Sequence, residues 1–488
     1  MNLKMIAYSL GKILRIEAAL LVVPLCVGLL YHEGQTIYLA YLGASCLALV
    51  VGSLLKIRKP KDSTLYTKDG LIIVALVWLV YSLIGCLPLI ISGEVPRFVD
   101  AFFEIISGFT TTGASIIPDV EVLSQASLFW RSFTHLIGGM GVILFALAVL
   151  PGLGAETIHI MKAEATGPSF GKVSHTVQDT ARRLYLIYLV MTAILILVLM
   201  LCGMNLFDSM IHAFSAAGTG GFSNYNDSIA HFNSPLIEVV IALAMLAFGI
   251  NFNVYHYLLL SKFRSRPKSE EVNWYFSIVG LSTLLISLNI LPQFLAQADN
   301  YWTALRHSFF YTSSIMTTTG FVTVDYTVWP VFSHVMLLAV MFIGGCAGST
   351  AGGLKVSRVA MMTKSAFLGI RASQEPRRAL PLRFEYKAVS PEKLRKIFQF
   401  FIIYILFFSL CLFIVSLDQL SFEEAFSSVA ASINCIGPGM GRLGPGGNYA
   451  LLTPLSKYTL CFAMIAGRLE FYPLLMLLSS PFSKQKAA

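Results

Sequence analysis

Charged side chains are scarce in this chain. Asp and Glu number 26 and Lys and Arg 35 in 488 residues, 12% together, against 56% hydrophobic residues. Mean hydropathy is +0.72. A soluble chain of this length could not hide so much apolar surface, so the scarcity points to an integral membrane protein. Cysteine is also sparse: the eight residues lie in apolar segments or turns without CxxC spacing. That argues against disulfides and metal clusters and for small core residues. The chain has no HExxH motif, Walker loop or GxSxG elbow. Isolated histidines such as His135, His256 and His334 read as packed or interfacial groups, so no catalytic constellation emerges.

The formal charge of +9 does not signal a nucleic acid, because the bases are not spread evenly. Of the 35 Lys and Arg, 29 fall in the N-terminal tail, in the stretches 56–68, 162–183, 262–268 and 355–396, and at Lys484 and Lys486. The intervening connections hold only Arg97, Arg131, Arg306, Arg442 and Lys457. Such alternation is the positive-inside pattern and reports orientation. A span needs about 20 apolar residues. Ten stretches qualify: 10–30, 37–55, 71–91, 128–150, 184–204, 236–260, 272–294, 331–362, 398–417 and 455–478. The first reads as a retained helix, since no small-residue cleavage site follows it. Both termini are then expected in the cytoplasm.

Between these stretches one pattern occurs four times. Aligned on a glycine, the turns read Thr110-Thr111-Thr112-Gly113, Gly218-Thr219-Gly220-Gly221, Thr317-Thr318-Thr319-Gly320 and Asn434-Cys435-Ile436-Gly437. Thirteen residues before each glycine stands Asp100, Asp208, His307 or Glu424, followed by a small residue. Every turn falls on the extracytoplasmic side, between an outward-going and an inward-going helix. The expected fold is all-α and membrane-integral: four pseudo-repeated helix–pore loop–helix units around a central ion pathway, plus two N-terminal helices. The expected boundaries are 1–68 for the extension, 69–155, 156–268 and 269–363 for the first three units, and 364–488 for the fourth with its basic connection.

The short helices before the turns are too short to span, and a non-helical turn at membrane depth is tolerated only when buried or lining a watery cavity. Backbone carbonyls can replace the water shell of an alkali cation without fixed charge, if glycine lets the chain aim them. Threonine hydroxyls in the first and third turns could add ligands or brace those carbonyls. One such turn would be an ordinary loop; four at matched positions point to a filter for a monovalent cation. None of the turns contains Asp or Glu, which disfavours a calcium filter, and a TVGYG sequence is absent. The acidic groups at the helix starts read mainly as caps.

Two further features stand apart. The stretch 331–362 is too long for one simple span, and its middle contains Gly344, Gly345, Gly348, Ser349, Thr350, Gly352 and Gly353. Each glycine costs a helix about 1 kcal/mol relative to alanine. A broken helix with an intramembrane loop is expected, a candidate gate. Arg468 lies deep in the last span, where an ionisable residue usually serves function. It reads as a positive barrier below the filter, with a structural ion pair, for instance to Glu470, as the plainer alternative. The basic connection 364–396, with Arg377 and Arg378, is either a solvated linker or a docking surface.

These residues resemble the TrkH/TrkG membrane subunits of bacterial Trk potassium uptake systems, within the superfamily that includes Ktr and plant HKT transporters. The likeness rests on Ser107 to Ala114, Gly220 to Ser223, Gly344 to Lys355, Asn434 to Gly439 and Gly467 to Glu470, and covers essentially the full length. It implies K⁺ uptake across the bacterial inner membrane and a homodimer carrying a TrkA-like cytosolic nucleotide-binding ring. K⁺ would be the transported ion, with no organic cofactor bound by this chain. Gly113, Gly221, Gly320 and Gly437 would be filter glycines, and Arg468 would lie below them beside the gate loop. A sodium-coupled or sodium-permeable relative is the alternative; a polytopic enzyme is disfavoured.

Overall fold

The structure, a computed structural model, describes residues 2–57, 60, 66–141, 177–260, 269–296, 300–375 and 381–479. It opens with an antiparallel pair, α1 (Leu3–Leu30) and α2 (Gln35–Lys56). Asn2 caps α1 by accepting the Met5 N–H at 3.1 Å, and the two helices pack along each other. Ser45 on α2 donates to the Ala18 carbonyl of α1 at 2.7 Å, and Tyr81 of the next helix donates to Ile13 O at 2.7 Å.

Four repeats follow. The first is α3 (Thr67–Gly85), the short α4 (Leu87–Ile91), α5 (Phe98–Phe109) and α6 (Gln125–Gly139). The second is α7 (Val177–Leu201), α8 (Leu206–Gly218), α9 (Pro235–Phe248) and α10 (Phe252–Leu260). The third is α11 (Glu270–Ala296), α12 (Tyr301–Met316), α13 (Val331–Ile343) and α14 (Val356–Gln374). A small antiparallel hairpin, with Arg383 opposite Ala388, leads to the fourth: α15 (Pro391–Val415), α16 (Phe422–Ile433), α17 (Pro454–Arg468) and α18 (Tyr472–Ser479). Among the described residues six helices are long and apolar enough to cross a membrane, or seven if α9 and α10 are one span. The protein is an all-α, multi-pass membrane protein.

Local sequence explains the boundaries. Asn205, Asn300 and Ser421 cap α8, α12 and α16, the short helices before the second, third and fourth turns, through their side chains. Helices α9 and α17 begin with Ser234-Pro235 and Thr453-Pro454, an N-cap followed by a proline whose missing N–H is no loss at the first helical position. The packing is cyclic: α6 lies on α8, α9 on α12, α13 on α16, and α17 returns to α5. The last helix, α18, packs on α3, so the fourth repeat closes against the first.

The expected break in the 331–362 stretch is present, with α13 ending at Ile343 and α14 starting at Val356. Two other stretches expected as single spans are broken as well. The 236–260 stretch bends by 88° between α9 and α10, at Gly249 to Asn251. The 455–478 stretch breaks between α17 and α18, where Glu470 and Phe471 both have positive φ. Helix α6 also stops early, at Gly139, with Gly141 at φ +88°; the remainder of the 128–150 stretch lies outside the described residues. These inner helices have 13 to 15 residues, about 20 Å at 1.5 Å per residue, too short to span alone.

One ion pair links the chain's last repeat to its first. Lys457 on α17 meets Asp100 on α5 at 2.7 Å, with the lysine side chain 5% exposed and the carboxylate 16%. Removing one partner strands a charge, which typically costs 3–5 kcal/mol when both are buried. Lys457→Met is expected to lower the melting temperature of the purified protein. The double variant Lys457→Met/Asp100→Asn should recover most of the loss, and equal melting of the single variant and the parent would rule the pair out as a clasp.

Candidate functional site

Each pore helix ends in the same way. Thr111, Thr219, Thr318 and Cys435 take a left-handed conformation, with φ of 55–56°. The following N–H, of Thr112, Gly220, Thr319 or Ile436, bonds five residues back at 2.8 Å in all four cases. The left-handed residue's own N–H bonds three residues back, at 3.0–3.2 Å. This is the Schellman ending, which usually recruits glycine. A β-branched threonine at positive φ is strained, and strain of this kind persists where the surroundings over-determine it. The sequence did not announce these endings, because threonine there reads as a ligand or an ordinary turn residue.

The first residue of each quartet belongs to the helix end. Thr110 and Thr317 donate to carbonyls four residues back at 2.7 Å, and the Asn434 amide does the same at 2.9 Å. Gly218 is the last residue of α8, and a methyl there would sit 2.3 Å from His135 O. The hydroxyl pairs Thr110–Thr112 and Thr317–Thr319 are joined at 2.8 and 2.7 Å. Thr219 donates back to Gly218 O at 2.6 Å, and the Cys435 thiol faces Met464 O at 3.7 Å. These hydroxyls therefore brace the turn.

The four glycines meet one another's turns in a ring. All have positive φ: 79° at Gly113, 77° at Gly221, 82° at Gly320 and 100° at Gly437. A Cβ on Gly113 would lie 1.8 Å from Gly220 O; on Gly221, 2.0 Å from Thr319 O; on Gly320, 2.0 Å from Ile436 O. On Gly437 it would lie 2.7 Å from Thr112 O, which closes the circle. Glycine is required twice over, by backbone conformation and by this approach. Among the described residues no protein donor reaches the carbonyl oxygens of Thr112, Gly220, Thr319 or Ile436. Buried carbonyls are seldom left so. All four glycines also line one open cavity of about 140 Å³.

Beside this cavity lies a buried ion pair that the sequence did not reveal. Arg131 Nε meets Glu104 Oε1 at 2.8 Å, with the side chains 2% and 0% exposed. Glu104 also accepts the Ile116 N–H at 2.8 Å, while Arg131 reaches Ser223 O at 3.2 Å and lies over the Phe222 ring. The pair therefore ties the segment after the first turn to that after the second. The sequence places Arg131 in an intervening connection, whereas the structure places it, buried, within α6.

Below the turns, the segment from Gly344 to Lys355 crosses the interior. Gly344, Gly348 and Gly353 have φ of 72–74°. Cys346 N–H bonds Gly249 O at 3.0 Å, Phe252 N–H bonds Gly348 O at 3.1 Å, and Thr350 Oγ1 reaches Phe248 O at 3.3 Å. Gly345 packs against the Gly249 carbonyl, and Ser349 caps Cys346 O. Gly352 N–H bonds Thr318 Oγ1 at 2.7 Å, and its Cα packs under Asn434 O. Glu271 of α11 accepts from Ala347 N at 2.7 Å and Ser357 N at 3.2 Å, anchoring both sides of the loop.

Arg468, at the end of α17, is 7% exposed. It donates to Thr350 O in the loop at 2.7 Å and to Gly138 O and Gly139 O at the end of α6. Glu470 pairs instead with Arg358, whose guanidinium lies over Phe400. The guanidinium of Arg468 thus joins the third-repeat loop to the first repeat. Lys355, 2% exposed, turns back to Ala351 O. Arg377 and Arg378 lie outside the described residues.

Of the residues thirteen before each glycine, Asp100 pairs across repeats with Lys457, and the other three are bonded locally. Asp208 accepts from Asn205 and Asn224, His307 faces Thr323 at 3.2 Å, and Glu424 forms a capping box with Ser421.

A family model described as a cation transport protein, TrkH, matches residues 39–486. The chain belongs to the TrkH family. This TrkH-family chain is 34% identical to the Trk system potassium uptake protein TrkH of Salmonella typhimurium, over 99% of this chain and 100% of the relative. It is 32% identical to the potassium uptake protein TrkG of Escherichia coli K12, over 99% of each. The crystal structure of the potassium transporter TrkH from Vibrio parahaemolyticus superposes with a TM-score of 0.88 at 31% identity, covering 99% of this chain and all of that one. Its relatives are thus named as potassium uptake proteins and a potassium transporter.

Hydrogen bonds from Arg442, closest at 2.8 Å, hold the Glu424 carboxyl down to about 2. A free Glu titrates near pH 4.3, so its contribution to stability is complete above that value and is lost as pH falls toward 2. Glu424→Gln is expected to flatten the acid limb of the melting curve between about pH 5 and pH 2.5. An acid limb as steep as the parent's would show that other groups carry it.

Proposed function

We propose that this chain carries K⁺ into the cell across the bacterial inner membrane, through a filter formed by the four turns. The observation that carries the reading is the closed ring of four glycines with four buried carbonyls that no protein donor reaches. Uncharged oxygens in a fixed ring suit a dehydrated monovalent cation, which gains contacts there in place of water. The relatives' names agree with potassium as cargo. Oriented pore helices add a favourable field, since their C-terminal ends, partly negative, lead into the turns.

The loop from Gly344 to Gly353 is the gate in this reading. It is short of side chains, its glycines turn at positive φ, and it bonds the bend after α9, the third turn and Arg468. Arg468 supplies a positive charge that opposes a cation while it holds the loop to α6. Moving the loop breaks its hydrogen bonds to the bend after α9, the third turn, Glu271 and Arg468, a cost that a partner's binding energy would meet. The partner is a TrkA-like cytosolic nucleotide-binding ring docked on the basic cytoplasmic connections, and the assembly is a homodimer. Both termini face the cytoplasm in this reading, which the distribution of basic residues supports.

Two experiments test the reading. Ion flux into liposomes holding the purified chain is compared for K⁺, Rb⁺, Na⁺ and Li⁺. Gly113→Ser should reduce K⁺/Na⁺ discrimination about tenfold or more, because its Cβ collides with the second turn's carbonyl. Unchanged selectivity in folded Gly113→Ser, Gly221→Ser, Gly320→Ser and Gly437→Ser proteins would sink the filter assignment.

For the gate, deletion of residues 348–351 and, separately, Arg468→Ala should each raise basal flux several-fold. Parental flux in both, with monodisperse protein, would move the constriction elsewhere and leave the filter untouched.

A further inference from the structure

The residue before each ring glycine is Thr112, Gly220, Thr319 or Ile436. Three of these carry a side chain that fixes the backbone behind the bare carbonyl. Thr112 and Thr319 are tied to Thr110 and Thr317 through their hydroxyls, and Ile436 is buried among apolar neighbours. Gly220 has no side chain and is followed by Gly221, so the second turn has intrinsically the freest backbone of the four.

The missing side chain is supplied by another helix. A Cβ on Gly220 would lie 2.5 Å from Cγ and Nδ1 of His135 and 2.6 Å from its Cδ2. The imidazole, carried on α6, therefore stands where a side chain of the turn would begin. Gly220 is not at positive φ, and its three counterparts bear side chains in the matching place. What excludes a side chain at Gly220 is thus the ring and not the backbone conformation.

His135 is 0% exposed and touches the second turn from several directions. Its Nδ1 meets Ser215 Oγ at 3.2 Å, and Ser215 O accepts the Gly220 N–H at 2.8 Å. Its ring stacks on Phe222, just past Gly221, with 4.3 Å between centroids and 20° between planes. Its own carbonyl lies against Gly218.

We propose that His135 is the positioning residue of the second turn, a role that rests on the filter reading and extends it to a side chain of the preceding repeat. The ring replaces the side chain that Gly220 lacks and sets where the Gly220 carbonyl stands against Gly113. Interiors are close-packed, so removing the ring leaves a hole behind the turn. Two consecutive glycines move into such a hole more readily than a threonine-braced segment does. One of the four carbonyls then leaves the ring, and discrimination by carbonyl geometry falls.

K⁺ and Na⁺ flux are measured with the full chain in one liposome preparation, and their ratio is read, since a ratio does not depend on how much protein is folded. His135→Ala should lower the K⁺/Na⁺ ratio about tenfold, and Gly220→Thr, which collides with the ring, about as much. The double variant His135→Ala/Gly220→Thr gives the second turn the residue of the first and third. It should return the ratio to within about threefold of the parent, because the two changes compensate in one space. Where a single variant does not fold, recovery of folded and selective protein in the double variant is the same compensation. Losses that add in the double variant, or a double variant that recovers neither folding nor selectivity, overturn the proposal. Gly113→Ser is assayed alongside. A lowered ratio there with parental ratios in His135→Ala and Gly220→Thr overturns the role of His135 alone, whereas parental ratios in all three overturn it together with the filter.

Discussion

The contact on which the molecule depends is backbone against backbone: a glycine of one turn beneath the carbonyl of the next. Nothing larger than hydrogen fits at Gly113, Gly221 or Gly320 without overlap with that carbonyl. The approach obliges the turns to sit at one level, and so obliges the helices that deliver them to be short. The cyclic packing of each inner helix on the following pore helix supplies the frame that holds the approach. Capping side chains, the Glu104–Arg131 pair and the Lys457–Asp100 clasp then fasten neighbouring repeats at the rim.

That arrangement keeps the turns from relaxing. Left alone, a threonine at positive φ would return to an extended or helical conformation. It is held in place by two backbone hydrogen bonds at every helix end, the same pair in all four repeats. Hydroxyl pairs in the first and third turns stiffen the same corner. Beneath them, the 344–353 segment is bound by hydrogen bonds to the bend after α9, to Thr318 and to Glu271, and by one arginine that reaches in from the end of α17. In the proposed reading the turns select and the segment beneath them controls.

Much of this was legible in the residues. Apolar runs of known length gave the helices, and four aligned glycines gave the repeat. The broken third-repeat helix was legible because glycines crowd there. The breaks after α9 and α17 were not, since Gly249 and the Arg468 to Phe471 segment sit in runs that are apolar on average, and hydropathy does not register a bend of 88°. The partnership of Arg468 was legible only as a need for acceptors; that these are the carbonyls of Gly138, Gly139 and Thr350 follows from tertiary closure, which joins residues more than a hundred apart. The Glu104–Arg131 pair escaped because its members lie on different helices, at a spacing that no local pattern marks.

The ring's last contact, Gly437 beneath the carbonyl of Thr112, has a consequence for synthesis. Three repeats made first have an open side, and α5 waits for both Lys457 and α17. A chain released early by the ribosome, short of the fourth repeat, has no enclosed ring. On the proposed filter reading, a route for ions comes into being only once the fourth repeat is made, so shorter chains leave the membrane potential intact.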